Sequence, residues 1–129
     1  MHDLAGASHS YLDCLGMAAS EVQGHLDGMV LAVLARQPGH GYAVVEQLRQ
    51  SSGGVFDLPE GTVYPALYRL ERAGLLSSAW ERHLGRKRRV YAVTSAGREA
   101  LGQRQSAWQR FAAAVDAVFI GAPSTEVAR

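Results

Sequence analysis

The sequence predicts a mainly helical domain that carries a two-stranded β-hairpin and ends in a long helix. Apolar residues recur at helical spacing in four segments, and a short β-prone hairpin pattern stands between the third and the fourth. The length of 129 residues favours one domain with short tails. Because 47% of the residues are apolar, such a domain can bury a core.

The first helix is predicted over residues 21–36, and the segment QPGHG at 37–41 ends it. Its apolar residues fall at the spacing of one buried helix face. They are Leu26, Met29, Val30, Val33 and Leu34. A second helix is predicted over 41–50, before SSGG at 51–54 breaks the chain. Its inward residues are expected to be Tyr42, Val45 and Leu48.

The third helix lies in EGTVYPALYRLERAGLL, residues 60–76. We expect it to begin at Gly61 or Thr62, because Pro65 then falls in the first turn, where a missing N–H costs nothing. Gly74 is typical of the position that follows a helix C-terminus. The buried face is predicted to consist of Val63, Ala66, Leu67 and Leu70.

A hairpin follows, with strands predicted over 75–82 and 88–93 and a turn in HLGRK with Gly85 at its tip. Helices two and three followed by this hairpin make the winged helix-turn-helix arrangement. The loop over 51–59 is longer than in a minimal helix-turn-helix, as winged variants allow.

The final helix is predicted over 95–119, from an N-cap at Thr94 or Ser95. Its apolar residues form a seam with a repeat close to seven. That seam is marginal for a free coiled coil, but it suffices for packing on the domain itself and on a symmetry mate. The predicted dimer interface comprises Leu101, Trp108, Phe111, Val115 and Val118.

Four regions are therefore expected. Residues 1–20 are a poorly specified N-terminal tail, and 21–94 form the winged helix-turn-helix domain. Residues 95–120 form the C-terminal dimerisation helix, and 121–129 are a disordered tail.

Charge is unevenly distributed along a chain whose formal net charge is only +1. The segment 69–98 holds 8 of the 13 Lys and Arg residues, with Glu71 and Glu81 as its only acidic residues. Such a local cationic surface is an electrostatic footprint for phosphates, with a solvated charged face as the alternative.

Other function classes find little support in the sequence. The single cysteine, Cys14, cannot form an internal disulfide, so a cytoplasmic protein is expected. No spacing fits a zinc site, no apolar run is long enough to span a membrane, and no catalytic constellation or cofactor motif is present. We therefore expect no enzyme, metal or cofactor, and Cys14 as a redox sensor is a minor alternative.

Three strings carry a family resemblance: HGY at 40–42, EGTVYPALYRLERAGLL at 60–76 and GRKRRVYAVTSAGREAL at 85–101. They resemble the PadR family of bacterial transcriptional regulators over about residues 26–119, in the short branch with a single C-terminal helix. The resemblance implies a homodimeric repressor that binds a double-stranded DNA operator. Because the dimer would be two-fold, the operator is expected to be a pseudo-palindrome. The rival is a winged-helix protein–protein module that binds no DNA.

In a winged domain the third helix enters the major groove and the wing reaches phosphates or the minor groove. Each candidate contact has a structural alternative: packing for Tyr64 and Tyr68, a solvated helix end for Arg72 and Glu71, and capping for Thr62. For Arg89 and Tyr91 the alternative is that of ordinary strand residues, with Tyr91 packed on the third helix. The predicted DNA-binding residues are Thr62, Tyr64, Tyr68, Arg69, Arg72, Arg86, Lys87 and Arg88.

The resemblance also implies a candidate effector site, since some family members bind flat aromatic compounds between paired tryptophans of the last helix. Trp108 occupies a similar position, and Phe111 would line the same space. A small hydrophobic or aromatic effector is therefore a candidate partner, with a purely structural role in the dimer core as the alternative.

Overall fold

The computed structural model describes residues 19–121, with side chains from residue 25 onward. Cys14 and most of the predicted tails over 1–20 and 121–129 therefore lie outside the described residues. Residues 19 and 20, which were predicted as tail, belong to the first helix. The order of elements is the predicted one, with one addition. The elements are α1 (Ala19–Arg36), β1 (Gly39–His40), α2 (Gly41–Ser51), α3 (Glu60–Arg72), β2 (Leu76–His83), β3 (Arg86–Val93) and α4 (Ser95–Ile120).

The core is built from α1, α2 and α3, closed by the sheet and the first turns of α4. The predicted α1 face is confirmed for Leu26, Val30, Val33 and Leu34, whereas Met29 is half-buried against the core. Leu31 is an additional fully buried residue. In α2 the prediction for Tyr42 is wrong, since its side chain is 55% exposed and Val44 is buried instead. The core of the described residues comprises Leu26, Val30, Leu31, Val33, Leu34, Val44, Leu48, Leu58, Val63, Ala66, Leu67, Leu70, Leu76, Tyr91 and Leu101.

The N-terminus of α3 differs slightly from the prediction. The helix begins at Glu60, with Pro59 as an N-cap that makes no side-chain hydrogen bond. Thr62 N and Val63 N both donate to the Pro59 carbonyl, at 2.9 Å and 3.2 Å. Pro65 therefore lies in the second turn, where it cannot donate to the carbonyl of Gly61. Because Gly61 is exposed, water can satisfy that carbonyl.

The hairpin is longer than predicted and belongs to a three-stranded antiparallel sheet of order β1-β3-β2. Pairing of β2 with β3 extends to His83 opposite Arg86, which leaves a two-residue turn. β1 pairs with β3 through Gly39–Tyr91 and His40–Val90. A strand of two residues is too short to produce an alternating pattern, so β1 could not be predicted.

The helix α4 begins at the predicted cap. Thr94 Oγ1 accepts a hydrogen bond from Gly97 N at 3.0 Å and donates to the Gly74 carbonyl at 2.7 Å. This hydroxyl therefore joins the start of α4 to the end of α3. At 1.5 Å per residue, α4 is roughly 39 Å long. In the described part of the chain, no helix is long and apolar enough to cross a membrane.

His40 caps α2, because its Nδ1 accepts a hydrogen bond from Ala43 N at 3.4 Å. Burial lowers the pKa of His40 below its usual value, and the nearby positive charges of Arg88 and His83 lower that pKa further. The neutral imidazole is thus the form that the fold favours, and it is also the form that can accept the capping hydrogen bond.

A pH dependence of stability follows from this cap. Since the pKa of His40 is lower in the folded chain, the unfolded chain binds the proton more readily, and stability is lost as pH falls below about 6.5. His40→Asn keeps a cap that does not titrate. In urea unfolding from about pH 7.5 to about pH 5.5, the original chain should lose more unfolding free energy than His40→Asn. Equal losses of unfolding free energy in the original chain and in His40→Asn would show that titration of the His40 cap does not contribute.

Candidate nucleic-acid interface

The rotation of α3 about its axis determines which of its residues face outward. The predicted buried face is confirmed, since Val63, Ala66 and Leu67 are fully buried and Leu70 is 2% exposed. At about 100° per residue, four exposed positions lie on the opposite side. We call this set the outer face of α3: Gly61, Pro65, Tyr68 and Arg72.

Tyr68 and Arg72 form the polar part of this outer face. Tyr68 is 59% exposed, and the Arg72 guanidinium carbon lies 5.6 Å from the centre of its ring. Arg72 Nη1 is 3.4 Å from the Tyr68 hydroxyl. Among the side chains that the structure describes, from residue 25 to residue 121, Arg72 makes no ion pair. Both side chains therefore keep donors free for an anionic or polar partner.

Arg69 and Thr62 lie on the flank of α3 that faces α1, which corrects their predicted place on the outward face. Arg69 Nη2 forms an ion pair with Asp27 Oδ1 of α1 at 2.8 Å. Thr62 is half-buried. The capping alternative for Thr62 is wrong, because Pro59 occupies the cap position.

Tyr64 lies on the flank of α3 that faces α2. Its ring covers Gly41, where a Cβ atom would overlap the ring. Burial raises the pKa of the Tyr64 hydroxyl, and the Glu60 carboxylate raises it further. This contact supports the packing alternative for Tyr64, and it explains why a glycine is needed at the first residue of α2.

The wing has two faces, because side chains alternate along each strand. The register pairs Trp80 with Arg89 and Arg82 with Lys87. These residues share a face with buried Leu76 and Tyr91, which lie in the core. We call the exposed or half-exposed part of this face the inner face of the wing: Ser78, Trp80, Arg82, Lys87 and Arg89.

A polar link joins the inner face of the wing to α3. Ser78 Oγ donates to Glu71 Oε2 at 2.6 Å, and Arg89 Nε donates to Ser78 Oγ at 2.9 Å. Arg89 Nη2 also lies 3.8 Å from the same carboxylate oxygen. Glu71 is therefore not a solvated helix end. Arg89 is likewise a strand residue that bonds within the domain, to Ser78 and Glu71.

Trp80 is the centre of a cationic cluster on the inner face. The Arg89 guanidinium carbon lies 4.9 Å from its ring centre and Lys87 Nζ lies at 5.9 Å, both within cation–π range. The DNA-binding residues predicted from the sequence did not include Trp80, Arg82 and Arg89. A spacing of two residues places Trp80 and Arg82 on one face of β2, and Lys87 and Arg89 on one face of β3. The strand register then shows that these two faces are the same.

The outer face of the wing carries two of the three adjacent basic residues predicted to bind DNA, Arg86, Lys87 and Arg88. Arg88 Nη2 pairs with Glu81 Oε2 at 3.3 Å, while Arg86 is exposed. Arg86, Lys87 and Arg88 thus do not form one patch, because strand alternation places Lys87 on the inner face and its two neighbours on the outer face. Tyr91 is buried, as its packing alternative predicted.

The last helix divides into two parts. Leu101 is only 9% exposed and lies in the core of its own domain, so it leaves little surface for a partner, which corrects its predicted interface role. The side chain of Arg104 packs over Gly28 of α1. Trp108 makes an edge contact with His25, with ring centres 5.1 Å apart. The exposed apolar residues of α4 are Trp108, Phe111, Val118, Phe119 and Ile120, with Val115 half-buried.

Metal ligands do not come together in this surface. Within residues 19–121 no group of three or more His, Cys, Asp or Glu side chains is placed to hold a metal ion. The chemistry of the site therefore comes from guanidinium, ammonium, hydroxyl and aromatic groups.

A three-helix core with a paired wing and an exposed face on the third helix defines a winged-helix DNA-binding domain. The family model for PadR-like transcriptional regulators matches residues 30–103, more than half of the chain. The chain belongs to the PadR-like family of transcriptional regulators.

Similar proteins agree with this assignment. A segment of 73 residues is 40% identical to the transcriptional regulator Rv3488 of Mycobacterium tuberculosis, covering 57% of this chain and 65% of that protein. A PadR-like regulator from Bacillus cereus is 26% identical, with a TM-score of 0.72 over 81% of this chain and 100% of that chain. A PadR-family regulator from Eggerthella lenta is 29% identical, with a TM-score of 0.70 over 86% of this chain and 96% of that one.

Proposed function

We propose that this chain is a homodimeric repressor that binds a pseudo-palindromic DNA operator through α3 and the wing. The observation that carries the proposal is the set of polar and cationic side chains on the outer face of α3 and on the inner face of the wing. The outer face of α3 offers Tyr68 and Arg72, and the inner face of the wing adds three further cations. The Glu71–Ser78–Arg89 link holds the two parts together.

The chemistry of this surface fits duplex DNA. Arginine pairs with guanine in the major groove or with phosphates, and tyrosine hydroxyls bond to phosphate oxygens. The first half of the outer face of α3 carries no long side chains, because its residues there are Gly61 and Pro65. The backbone of α3 can therefore approach a DNA groove closely. On the wing, Arg82 and Lys87 are exposed and make no ion pair among the described residues, so phosphates can bind them.

A winged-helix module that binds only protein is the alternative. Interfaces between proteins are usually depleted of charge at their centre and enriched in buried apolar anchors. On the wing, Arg89 and Lys87 lie around the exposed ring of Trp80, and on α3 Arg72 lies over the ring of Tyr68. That composition favours a polyanion over a protein partner.

Selection of duplexes from a random library tests the proposal. The full chain should enrich a two-fold pseudo-palindrome whose half-sites lie about one helical turn apart, because the proposed dimer presents two copies of α3. Absence of any enriched sequence, with no binding to random duplex, would support the protein-binding alternative. In the cell, the proposed repressor should lower transcription from a promoter that contains the enriched sequence.

The two faces of the wing provide a matched comparison on the enriched duplex. Arg82→Ala with Lys87→Ala removes two cations from the inner face, and Arg86→Ala with Arg88→Ala removes two from the outer face. If both inner cations contact phosphates, the slope of log K against log salt should fall by about 1.8, with a smaller change for the outer pair. Equal slopes for the two double variants, measured by fluorescence anisotropy, would contradict the proposed role of the inner face.

The proposed dimer forms through the distal part of α4. Its exposed apolar residues extend beyond the contact with α1, and a helix of a monomer does not normally leave such a face uncovered. Trp108, Phe111 and Val118 fall on one side of the helix at spacings of three and seven residues. A second copy of α4 packed against them would bury this side, and the resemblance to the family implies the same arrangement.

Substitutions on opposite sides of α4 test this interface. Phe111 is 60% exposed, so Phe111→Glu should dissociate the dimer, because a carboxylate would replace an aromatic contact, while the fold stays intact. Ala113→Glu adds the same charge on the opposite side of the helix and should leave the dimer unchanged. Sedimentation reports whether each variant remains a dimer, and thermal unfolding reports whether its fold is intact. A stable dimer of Phe111→Glu would place the interface elsewhere.

We further propose a small aromatic effector that binds at Trp108 and Phe111. Their ring centres are 6.1 Å apart, and His25 lies on the other side of Trp108. In a Trp80→Phe background, Trp108 is the sole tryptophan of the chain, so excitation that spares the tyrosines isolates its emission. A panel of flat aromatic compounds should include members that quench this emission saturably and release the enriched duplex. Failure of every compound to do so would leave Trp108 with a structural role only.

A further inference from the structure

The tip of the wing combines an unfavourable backbone conformation with an exposed apolar side chain. The turn between His83 and Arg86 consists of Leu84 and Gly85, with φ angles of 53° and 79°. Positive φ at both positions is typical of a type I′ turn, whose twist matches the flanking strands. Glycine, asparagine and aspartate suit both positions. Gly85 therefore fits the turn, whereas the branched side chain of Leu84 is strained there.

Packing within the domain does not compensate this strain. The side chain of Leu84 is 87% exposed and is the most exposed of the large apolar side chains in the described part of the chain. A single exposed leucine is ordinary. A leucine with an exposed side chain and a left-handed backbone conformation gains no packing energy from the domain. The conformation therefore points to a contact outside the domain.

The surroundings of Leu84 indicate the chemistry of that contact. Arg82, Arg86 and Lys87 are exposed within three residues of it. An apolar tip surrounded by cations does not match an apolar protein surface. It matches a DNA groove, where phosphates line both edges and apolar side chains such as leucine insert at base steps in the minor groove.

The length of the wing fits this location. β2 contains eight residues, so the hairpin is roughly 26 Å long. The major groove is only about 12 Å wide. When α3 lies in the major groove, a hairpin that starts beside its C-terminus can extend past the phosphate backbone to the adjacent minor groove.

We propose that Leu84 is an apolar wedge that the wing inserts into the minor groove next to the half-site bound by α3. The wedge contacts deoxyribose and the edges of a base step, while Arg82, Arg86 and Lys87 hold the flanking phosphates. This inference rests on the proposed DNA-binding function and names a contact that the function does not require. A flexible pyrimidine–purine step would be favoured at that position.

Leu84→Asn is the informative variant, because asparagine suits the left-handed turn but cannot act as an apolar wedge. We expect its Tm to rise, while its Kd for the library-enriched duplex rises roughly tenfold. The salt slope should stay unchanged, because no charge is altered. Leu84→Met retains an apolar side chain and should bind within about threefold of the original chain.

A second measurement reports the insertion itself. With 2-aminopurine at successive steps beside the half-site, the original chain and Leu84→Met should raise the fluorescence at one step, and Leu84→Asn should not. Wild-type affinity of Leu84→Asn, or a lower Tm, would overturn the wedge. If the original chain binds no duplex at all, the proposed function fails instead, so the two failures are distinguishable.

Discussion

Burial of one face of α3 is the constraint on which the rest of the structure depends. Because Val63, Ala66 and Leu67 are fully buried, α3 cannot rotate about its axis without exposing core. The valine and leucine side chains contribute roughly 1.5–3 kcal/mol each through burial, and the alanine methyl group contributes less. The same constraint that stabilises the domain therefore determines that Tyr68 and Arg72 point outward, while Tyr64 and Arg69 are turned to the flanks, against α2 and α1.

The wing is joined to α3 by a carboxylate as well as through the core. Glu71 accepts a hydrogen bond from Ser78 and lies beside Arg89, so the end of α3 positions the base of the hairpin. Because side chains alternate along β2 and β3, the orientation of the hairpin base determines which residues face each side up to the tip. As a result, the basic residues of the wing are not equivalent: Lys87 and Arg89 share a face with Trp80, and Arg88 is paired with Glu81 behind them.

Helical periodicity made much of this fold predictable. The buried faces of α1 and α3 and the cap at Thr94 follow from local pattern. The parts that could not be predicted depend on contacts between elements. Gly41 accommodates the Tyr64 ring, and Val44 rather than Tyr42 faces inward in α2. The partners of Trp80 follow from the strand register, which depends on the tight turn at Leu84 and Gly85. The ion pair of Arg69 with Asp27 joins residues that are far apart in sequence.

The central claim is that the outer face of α3 and the inner face of the wing form one DNA-binding surface. Amide chemical shifts of the full chain, titrated with the library-enriched duplex, test it most directly. The account predicts the largest shifts at Gly61, Tyr68 and Arg72 and along the wing at Arg82, Lys87 and Arg89, with small shifts on the side of α4 that carries Ala113. Shifts confined to α4, or strong shifts on α3 with none on the wing, would contradict it.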